Sequence, residues 1–346
     1  MLLLLSLSGT LVVVINSTQL TFYILEYHTF IHFQFFRSIG DIFLQGILFE
    51  GAVMMFWRKN SHKENECVHQ LQADEKVNEL RAAMGRLTKA SEHFCTDACL
   101  KRYLEARNWD VDKAMKMLEE TIQWRSTFKP DSIRWNDIAI EGETGKAYRA
   151  NFFDRQGRTV LILRPGMQNT TGCENQMRHL VYLLENAIYN LPKDQEQMAW
   201  LIDFTGWSMS NAVPVKTSRE TINILQNHYP ERLAVAFLYN PPRIFEASWK
   251  IVKYFLDAKT FAKVKFVYPK NKDSVELMKT YFDDENLPAE FGGRAKLHYD
   301  HEEFSRLMNE DEAKAEREWK SENSNGHINN GKPEVCHESA IALPAS

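Results

Sequence analysis

The sequence lacks the marks of several protein classes. Its five cysteines are odd in number and none forms a Cys-x-x-Cys pair, so we expect reduced thiols in a cytosolic protein. His62, Cys67 and His69 have no fourth ligand near them, and we predict no metal site. Basic residues are not in excess either, because 42 Lys and Arg stand against 46 Asp and Glu. The net charge of -4 argues against nucleic-acid binding.

Catalytic motifs are missing as well. Residues 141–146 (EGETGK) imitate a phosphate-binding loop, but Ile140 replaces its first glycine and Ala147 replaces its Ser or Thr. No Gly-x-Ser-x-Gly elbow exists, so Ser208 with Asp203 and His228 makes a poor triad. We therefore predict no enzymatic activity and no cofactor.

Charge is scarce only at the start of the chain. Residues 1–57 hold four charged side chains, and residues 1–25 hold none. Three interpretations stay open for this apolar extension: translation from an upstream start with the native start at Met55, a membrane anchor or targeting segment, or packed structure. The polar residues 58–76 are expected to be a disordered linker.

The remaining chain divides by its hydrophobic pattern. Residues 77–130 read as a small helical unit, in which Thr96 and Asp110 cap two of the helices. From 131 to 300, β-branched runs alternate with helical patterns, which predicts an α/β layer with a largely parallel sheet. The predicted strands are 159–163, 199–204, 234–238 and 264–267. Residues 301–346 are charged and then polar, and we expect a frayed helix and a flexible tail.

One helix, residues 243–257, is apolar around most of its circumference. Its polar residues form a single stripe, and the rest are aliphatic or aromatic. Such a helix is either sandwiched within a large core or acts as a lid over an apolar cavity, with an aromatic outer face that can enter a bilayer. The pattern by itself does not choose between them.

Eight short motifs carry a resemblance to a known family. They are CLKRYLEARNWDV at 99–111, QWR at 123–125, DRQGR at 154–158, IDFTG at 202–206, YPER at 229–232, NPP at 240–242, FLD at 255–257 and LPAEFGG at 287–293. In this order they resemble the CRAL-TRIO family, in particular the Sec14-like phosphatidylinositol transfer proteins of plants. The resemblance covers roughly residues 77–297.

The resemblance implies the CRAL-TRIO fold, in which an N-terminal helical unit joins a mixed, mainly parallel sheet flanked by helices around an apolar lipid cavity. It also implies a phosphoinositol headgroup site at Arg107, Glu231, Thr260 and Lys263. The chemistry agrees, because Arg107 and Lys263 can donate charge-assisted hydrogen bonds to a phosphodiester, while Glu231 can accept from inositol hydroxyls.

The resemblance further implies a cavity closed by a gate helix that matches residues 243–257. The cavity and gate residues are expected to be Ser208, Ser210, Ile244, Phe245, Trp249, Val252, Phe255 and Leu256. A choline-lipid site in this family uses the serine pair and two tyrosines, but the tyrosine positions fall on Ala150 and Leu161. The aromatic cage for a quaternary ammonium is thereby lost, and we expect no choline-lipid exchange.

The sequence thus predicts a monomeric, non-enzymatic carrier that extracts phosphatidylinositol and presents it at membranes. We expect it in the cytoplasm, peripherally associated with membranes, or anchored if residues 1–25 insert. Two alternatives remain, a membrane-tethered lipid-sensing adaptor and a carrier of a neutral ligand such as a sterol or tocopherol. The four headgroup residues argue against the neutral ligand, which has no phosphate to hold.

Overall fold

The computed structural model describes residues 3–4, 13–14, 70–210, 212–252, 256 and 258–325. The chain divides into two compact units, Met1–Gln72 and Ala73–Ser346. In the first unit, strand β1 (Leu3–Leu4) pairs antiparallel with strand β2 (Val13–Val14). The other predictions for residues 1–69, including the anchor and most of the linker, lie outside the described residues, as does the tail beyond residue 325.

A cluster of helices follows. The helices are α1 (70–84), α2 (Lys89–Phe94), α3 (Asp97–Ala106) and α4 (Val111–Phe128). The hydroxyl of Thr96 accepts from the Cys99 amide and the carboxylate of Asp110 accepts from the Lys113 amide, so both predicted caps are present. Residues 70–76, expected to be part of the linker, are helical. Their helix continues into Val77 and Leu80, which are buried in this cluster and hold it in place.

Helix α5 (Trp135–Gly142) leads into a five-stranded sheet. Its strands are β3 (Ala147–Phe153), β4 (Thr159–Leu163), β5 (Met198–Asp203), β6 (Leu233–Tyr239) and β7 (Val264–Val267), hydrogen-bonded in that order. The intervening helices are α6 (Cys173–Tyr189), α7 (Val215–His228), α8 (Arg243–Val252) and α9 (Ala258–Ala262), with α10 (Lys272–Tyr281) after β7. β4 to β7 are parallel and β3 is antiparallel, which confirms the mixed α/β fold.

Strand β3 is absent from the strands that the sequence predicted. Buried and exposed side chains alternate over only part of this strand, because it lies at the edge of the sheet, where fewer side chains are packed. The hydrophobic pattern that predicts a strand is therefore weak here. The four predicted strands agree with the observed ones within one or two residues.

Both faces of the sheet are covered. One face packs on α5, α6 and α7 through side chains such as Leu161 and Trp200. The other packs on α10 and the segment that follows it, through Val160 and Phe237. Alternate residues of each strand therefore serve different cores, as a sheet buried between helices requires.

The last described helix corrects the prediction for the C-terminal segment. Helix α11 (His301–Asn325) begins where the frayed helix was predicted, but Phe304 and Met308 are buried in the core beneath it. The carboxylate of Asp311 pairs with Arg149 at 2.8 Å and accepts from the amides of Asn186 and Asn190. Its charged composition concealed this packing, because some of the acids bind partners on the core rather than water.

Candidate functional site

Helix α8 covers residues 243–252 of the segment predicted to be the gate (243–257), and two of its aromatic side chains contact the domain. The ring of Phe245 lies 4.2 Å from that of Phe204, between centroids, and 5.8 Å from Trp207. Trp249 meets the ring of Phe266 on β7 at 5.6 Å. Ile244, by contrast, is 53% exposed. The described part of α8 thus has one side held against the domain and at least one large apolar side chain in solvent.

The sheet beneath α8 presents a row of apolar side chains. Leu163, Ile202, Leu238 and Phe266 are paired across β4 to β7, so they share one face near the carboxyl ends of these strands. All of them except Leu238 are only half-buried. Incompletely buried aliphatic and aromatic residues on one face of a sheet fit the floor of an apolar cavity.

The structure describes some of the other predicted cavity residues. Ser208 and Ser210 follow β5, are exposed, and their hydroxyl oxygens lie 2.7 Å apart. Leu256 is half-buried. The side chain of Val252 and residue Phe255 lie outside the described residues.

Glu231 and Lys263, two of the predicted headgroup residues, form an ion pair. The Lys263 Nζ donates to Oε2 of Glu231 over 3.0 Å, and the two side chains are 22% and 18% exposed. Glu231 adopts a left-handed backbone conformation, with φ of 56°, just before β6. The Lys263 carbonyl accepts from the Ala236 amide of β6, so backbone pairing fixes the distance between the two side chains.

Thr260 and Arg107 complete the predicted set. Thr260 lies on α9, and its carbonyl accepts from the Lys263 amide at 3.1 Å. Arg107 is the C-cap residue of α3 and half-buried. The Nζ of Lys259, next to Thr260, donates to the carbonyl of Glu105 at 2.9 Å, which brings α9 to the end of α3 where Arg107 lies. The structure therefore pairs Lys263 with Glu231 and places Thr260 three residues before Lys263. It also brings α9 to the last turn of α3, which Arg107 follows in the chain.

Comparisons with known proteins agree with this architecture. Residues 142–293 match the model of the CRAL/TRIO domain, and residues 69–120 match that of the CRAL/TRIO N-terminal domain. The SEC14 cytosolic factor of Candida glabrata is 31% identical over 58% of this chain and 72% of its own length. The chain belongs to the CRAL/TRIO family.

Two other relatives of this CRAL/TRIO protein are matched over a smaller share of their own length. A CRAL-TRIO domain-containing protein of Schizosaccharomyces pombe is 35% identical over 61% of this chain and 20% of its own length. Phosphatidylinositol transfer protein PDR17 of Saccharomyces cerevisiae is 31% identical over 60% of each. The chain thus spans between a fifth and three fifths of these two relatives. A crystal structure of Sfh5 matches with a TM-score of 0.48 at 20% identity, over 58% of this chain and 72% of that one.

The two positions that would carry choline-binding tyrosines lie on opposite faces of the CRAL/TRIO sheet. Leu161 packs in the core with α6, whereas Ala150 packs in the core beneath α10. Both side chains are buried, and neither is aromatic. These two positions therefore cannot form a common cage around a quaternary ammonium group.

A buried polar network precedes Glu231, and the sequence analysis did not identify it. Arg125 pairs with Glu185 at 2.7 Å, and the hydroxyl of Tyr229 donates to the same carboxylate at 2.6 Å. Burial, followed by the neighbouring Glu185, raises the pKa of Tyr229 well above its ordinary value. His228 stacks on an indole ring of α4, and burial together with Arg125 lowers its pKa to about 4. Arg125 and Tyr229 belong to matched motifs, which is the signal that could have revealed the network.

A cleft of about 720 Å³ lies among α2, α3, α6 and α11. Many of its charged groups are paired with one another: Glu196 with Arg102 and Arg232, and Arg125 with Asp131. Because these charged groups already pair with one another, few of them are available to bind a charged ligand. This cleft is also separate from the sheet floor beneath α8.

The part of the chain that the structure describes also bears on metal binding and membrane insertion. No group of three or more His, Cys, Asp or Glu side chains in this part of the chain could hold a metal ion. Likewise, none of the helices that the structure describes is long and apolar enough to span a bilayer.

Proposed function

We propose that the protein binds phosphatidylinositol and transfers it between membranes or presents it at their surface, without an enzymatic step or a cofactor. The observation that carries the proposal is the ion pair of Lys263 and Glu231, with Thr260 three residues before Lys263 and α9 in contact with the last turn of α3. Relatives named for phosphatidylinositol transfer support the same reading.

The chemistry of the four side chains suits an inositol phosphodiester. Lys263 and Arg107 supply positive charge and donors for the phosphate, and Thr260 can add a hydroxyl donor. Glu231 accepts hydrogen bonds from inositol hydroxyls and, through its ion pair, holds Lys263 in place before the lipid arrives. Both side chains are about four-fifths buried, which strengthens their interaction with a bound phosphate relative to a surface site.

The acyl chains would occupy the space between the sheet floor and α8. Each buried methylene contributes about 0.8 kcal/mol, so release into water is prohibitive. Exchange therefore requires the bilayer to offer the same burial while α8 is displaced, and the exposed Ile244 would enter the interface first. We infer peripheral association of a cytoplasmic monomer with membranes on this basis. The similarity to plant Sec14-like proteins stays a prediction, since the relatives compared above are fungal.

Native mass spectrometry with lipid extraction tests the proposal. The full chain is incubated with liposomes of mixed phospholipids and sterols and then re-isolated. We expect one phosphatidylinositol per chain, and about a tenfold or greater loss in Lys263→Ala, because a charge-assisted hydrogen bond to phosphate contributes roughly 1.5 to 3 kcal/mol. The control is Lys279→Ala, an exposed lysine of α10 paired with Glu276.

Two results would contradict the proposal. Recovery of a sterol or tocopherol, or of no lipid, excludes phosphatidylinositol as the cargo. Equal loading of Lys263→Ala and Lys279→Ala places the headgroup elsewhere.

Fractionation of the full chain beside a variant that begins at Met55 tests the membrane association separately. If both fractionate alike, residues 1–54 do not act as an anchor.

A further inference from the structure

A hydrogen bond joins helix α8 to the segment that follows β7. The hydroxyl of Tyr268 donates to Oε1 of Glu246 over 2.5 Å. Glu246 lies in the first turn of α8 and is exposed, whereas Tyr268 follows the last residue of β7 and is half-buried. Burial, followed by the hydrogen bond to Glu246, raises the pKa of Tyr268 to about 12, so its hydroxyl stays protonated and remains the donor.

An apolar contact lies beside this hydrogen bond. Trp249 comes three residues after Glu246, and side chains at that spacing are neighbours on one face of a helix. The ring of Trp249 meets that of Phe266 on β7, two residues before Tyr268, at 5.6 Å. Later residues of α8 thus contact earlier residues of the β7 segment. The helix therefore runs back along the end of β7, held there by a pair of rings and by a hydrogen bond.

The β7 side of this hydrogen bond is fixed in the domain. The Val267 carbonyl accepts from the Asn240 amide at 2.8 Å, and the Tyr268 carbonyl accepts from the Asn271 amide at 2.9 Å. Asn240 adopts a left-handed backbone conformation, with φ of 51°, and two prolines after it lead into α8. Backbone hydrogen bonds thus hold the chain on both sides of the tyrosine. A displacement of α8 away from β7 therefore separates Glu246 from Tyr268.

The hydrogen bond is weak enough to allow that displacement. Glu246 is exposed, so water hydrates its carboxylate once the tyrosine hydroxyl is lost, and the net contribution of such a contact is small. A contact of this strength shifts an equilibrium between closed and open positions of α8 a few fold without preventing opening. It differs in this respect from the buried ion pairs of the domain.

We propose that Tyr268 is a positioning residue for lipid exchange: its hydrogen bond to Glu246 is a latch that holds α8 over the apolar sheet floor and slows the passage of cargo to and from a membrane. The inference rests on the proposed function, since it assumes that α8 moves when lipid enters or leaves. The latch sets the rate of exchange, whereas the headgroup residues set which lipid is bound. Tyr268 acts through α8 rather than on the lipid.

Transfer of a fluorescent phosphatidylinositol from donor to acceptor vesicles by the full chain tests the proposal. Tyr268→Phe removes only the hydroxyl. We expect about threefold faster transfer, the low end for a hydrogen bond because the carboxylate is exposed, with loading at saturating vesicle concentration unchanged. The matched control is Tyr189→Phe, because the Tyr189 hydroxyl donates to Oε2 of Glu318 at 2.7 Å between α6 and α11. This control should transfer lipid at the wild-type rate.

Two further measurements separate the latch from a general effect on folding. In a Glu246→Ala background the tyrosine hydroxyl has lost its acceptor, so Tyr268→Phe should not change the transfer rate further. Hydrogen–deuterium exchange reports the opening of α8 directly. The amides of α8 should exchange faster in Tyr268→Phe than in the wild type, while those of α6 exchange equally in both.

The outcomes distinguish this inference from the proposed function. If the wild type loads and transfers phosphatidylinositol but Tyr268→Phe has the same transfer rate, the latch is refuted and the carrier function stands. Equal acceleration by Tyr268→Phe in the wild-type and Glu246→Ala backgrounds also refutes the latch, because the effect then does not pass through their contact. If the wild type neither loads nor transfers phosphatidylinositol, the carrier function fails, and this inference fails with it.

Discussion

Asp311 offers a sharp test of the contribution of α11 to the fold. Its Oδ2 meets Arg149 at 2.8 Å and accepts from the side-chain amides of Asn186 and Asn190. The side chains of Asp311 and Arg149 are only 13% and 14% exposed. Asp311→Ala would therefore leave a nearly buried guanidinium group without its carboxylate and remove one acceptor from each of the two amides, of which that of Asn190 keeps the Asn186 carbonyl.

The expected cost follows from this burial. Removing one partner of a buried ion pair destabilises a protein by about 3 to 5 kcal/mol, because the other charge stays desolvated. The pair retains some contact with solvent and water can enter the vacated space, so we expect the lower part of this range, about 3 kcal/mol. The matched control is Glu310→Ala, since Glu310 pairs with Arg306 on the same helix and both are more than half exposed. Its loss should cost about 0.5 kcal/mol or less.

Urea unfolding followed by tryptophan fluorescence and by circular dichroism measures both variants. The midpoint should fall strongly for Asp311→Ala, with the slope unchanged, and hardly at all for Glu310→Ala. Arg149→Met in the Asp311→Ala background should recover part of the loss, because it removes the stranded charge. Equal, small shifts for the two single variants would refute the assignment of α11 to the core.

Two further predictions concern the glycine that contacts the loop after β5 and the buried histidine. Gly166→Ala should destabilise the fold by about 2 kcal/mol, because a Cβ there would lie 2.3 Å from the Thr205 carbonyl oxygen. The control is Gly172→Ala, whose Cβ would meet nothing within 4 Å. Thermal unfolding of both variants measures the difference, and equal melting temperatures would contradict the prediction. His228 is neutral when folded, with a pKa of about 4 against an ordinary 6.5, so the unfolded chain binds more protons between these values. The free energy of unfolding should fall by up to about 3 kcal/mol as the pH drops from 6.5 to 4. Urea unfolding at several pH values should show a weaker fall for His228→Gln than for the wild type. If the free energy of unfolding depends on pH equally in both proteins, the histidine is not the cause.

Much of the fold was accessible from local patterns. Thr96 and Asp110 were predicted as helix caps because their side chains can accept hydrogen bonds from the free amides of the first turn. The strands β4 to β7 were predicted from continuous runs of β-branched and aliphatic residues. The edge strand β3 was not predicted, and neither was the packing of helix α11 on the core. Strand β3 lacks a buried run, and much of α11 is stabilised by polar partners that lie far away in the chain.

The candidate site shows the same division. Its residue types were predicted from motifs, and the structure pairs two of the predicted residues, Glu231 and Lys263. The network of Arg125, Glu185 and Tyr229 behind Glu231 did not follow, because its members lie on three different elements. The contact of Lys259 with the end of α3 was not predicted either, because no sequence pattern identifies the partner of an exposed lysine.

By itself, the sequence determined the parallel strands β4 to β7, the helical character of residues 77–130, the family and the kinds of side chain available to hold a phosphate. Those properties depend on neighbours along the chain or on short motifs. Only the tertiary structure decided that Glu231 pairs with Lys263, that Lys259 binds the end of α3 and that α11 belongs to the core. Each of these contacts joins residues distant in the chain, and their distances are set by sheet register and helix packing rather than by local preference.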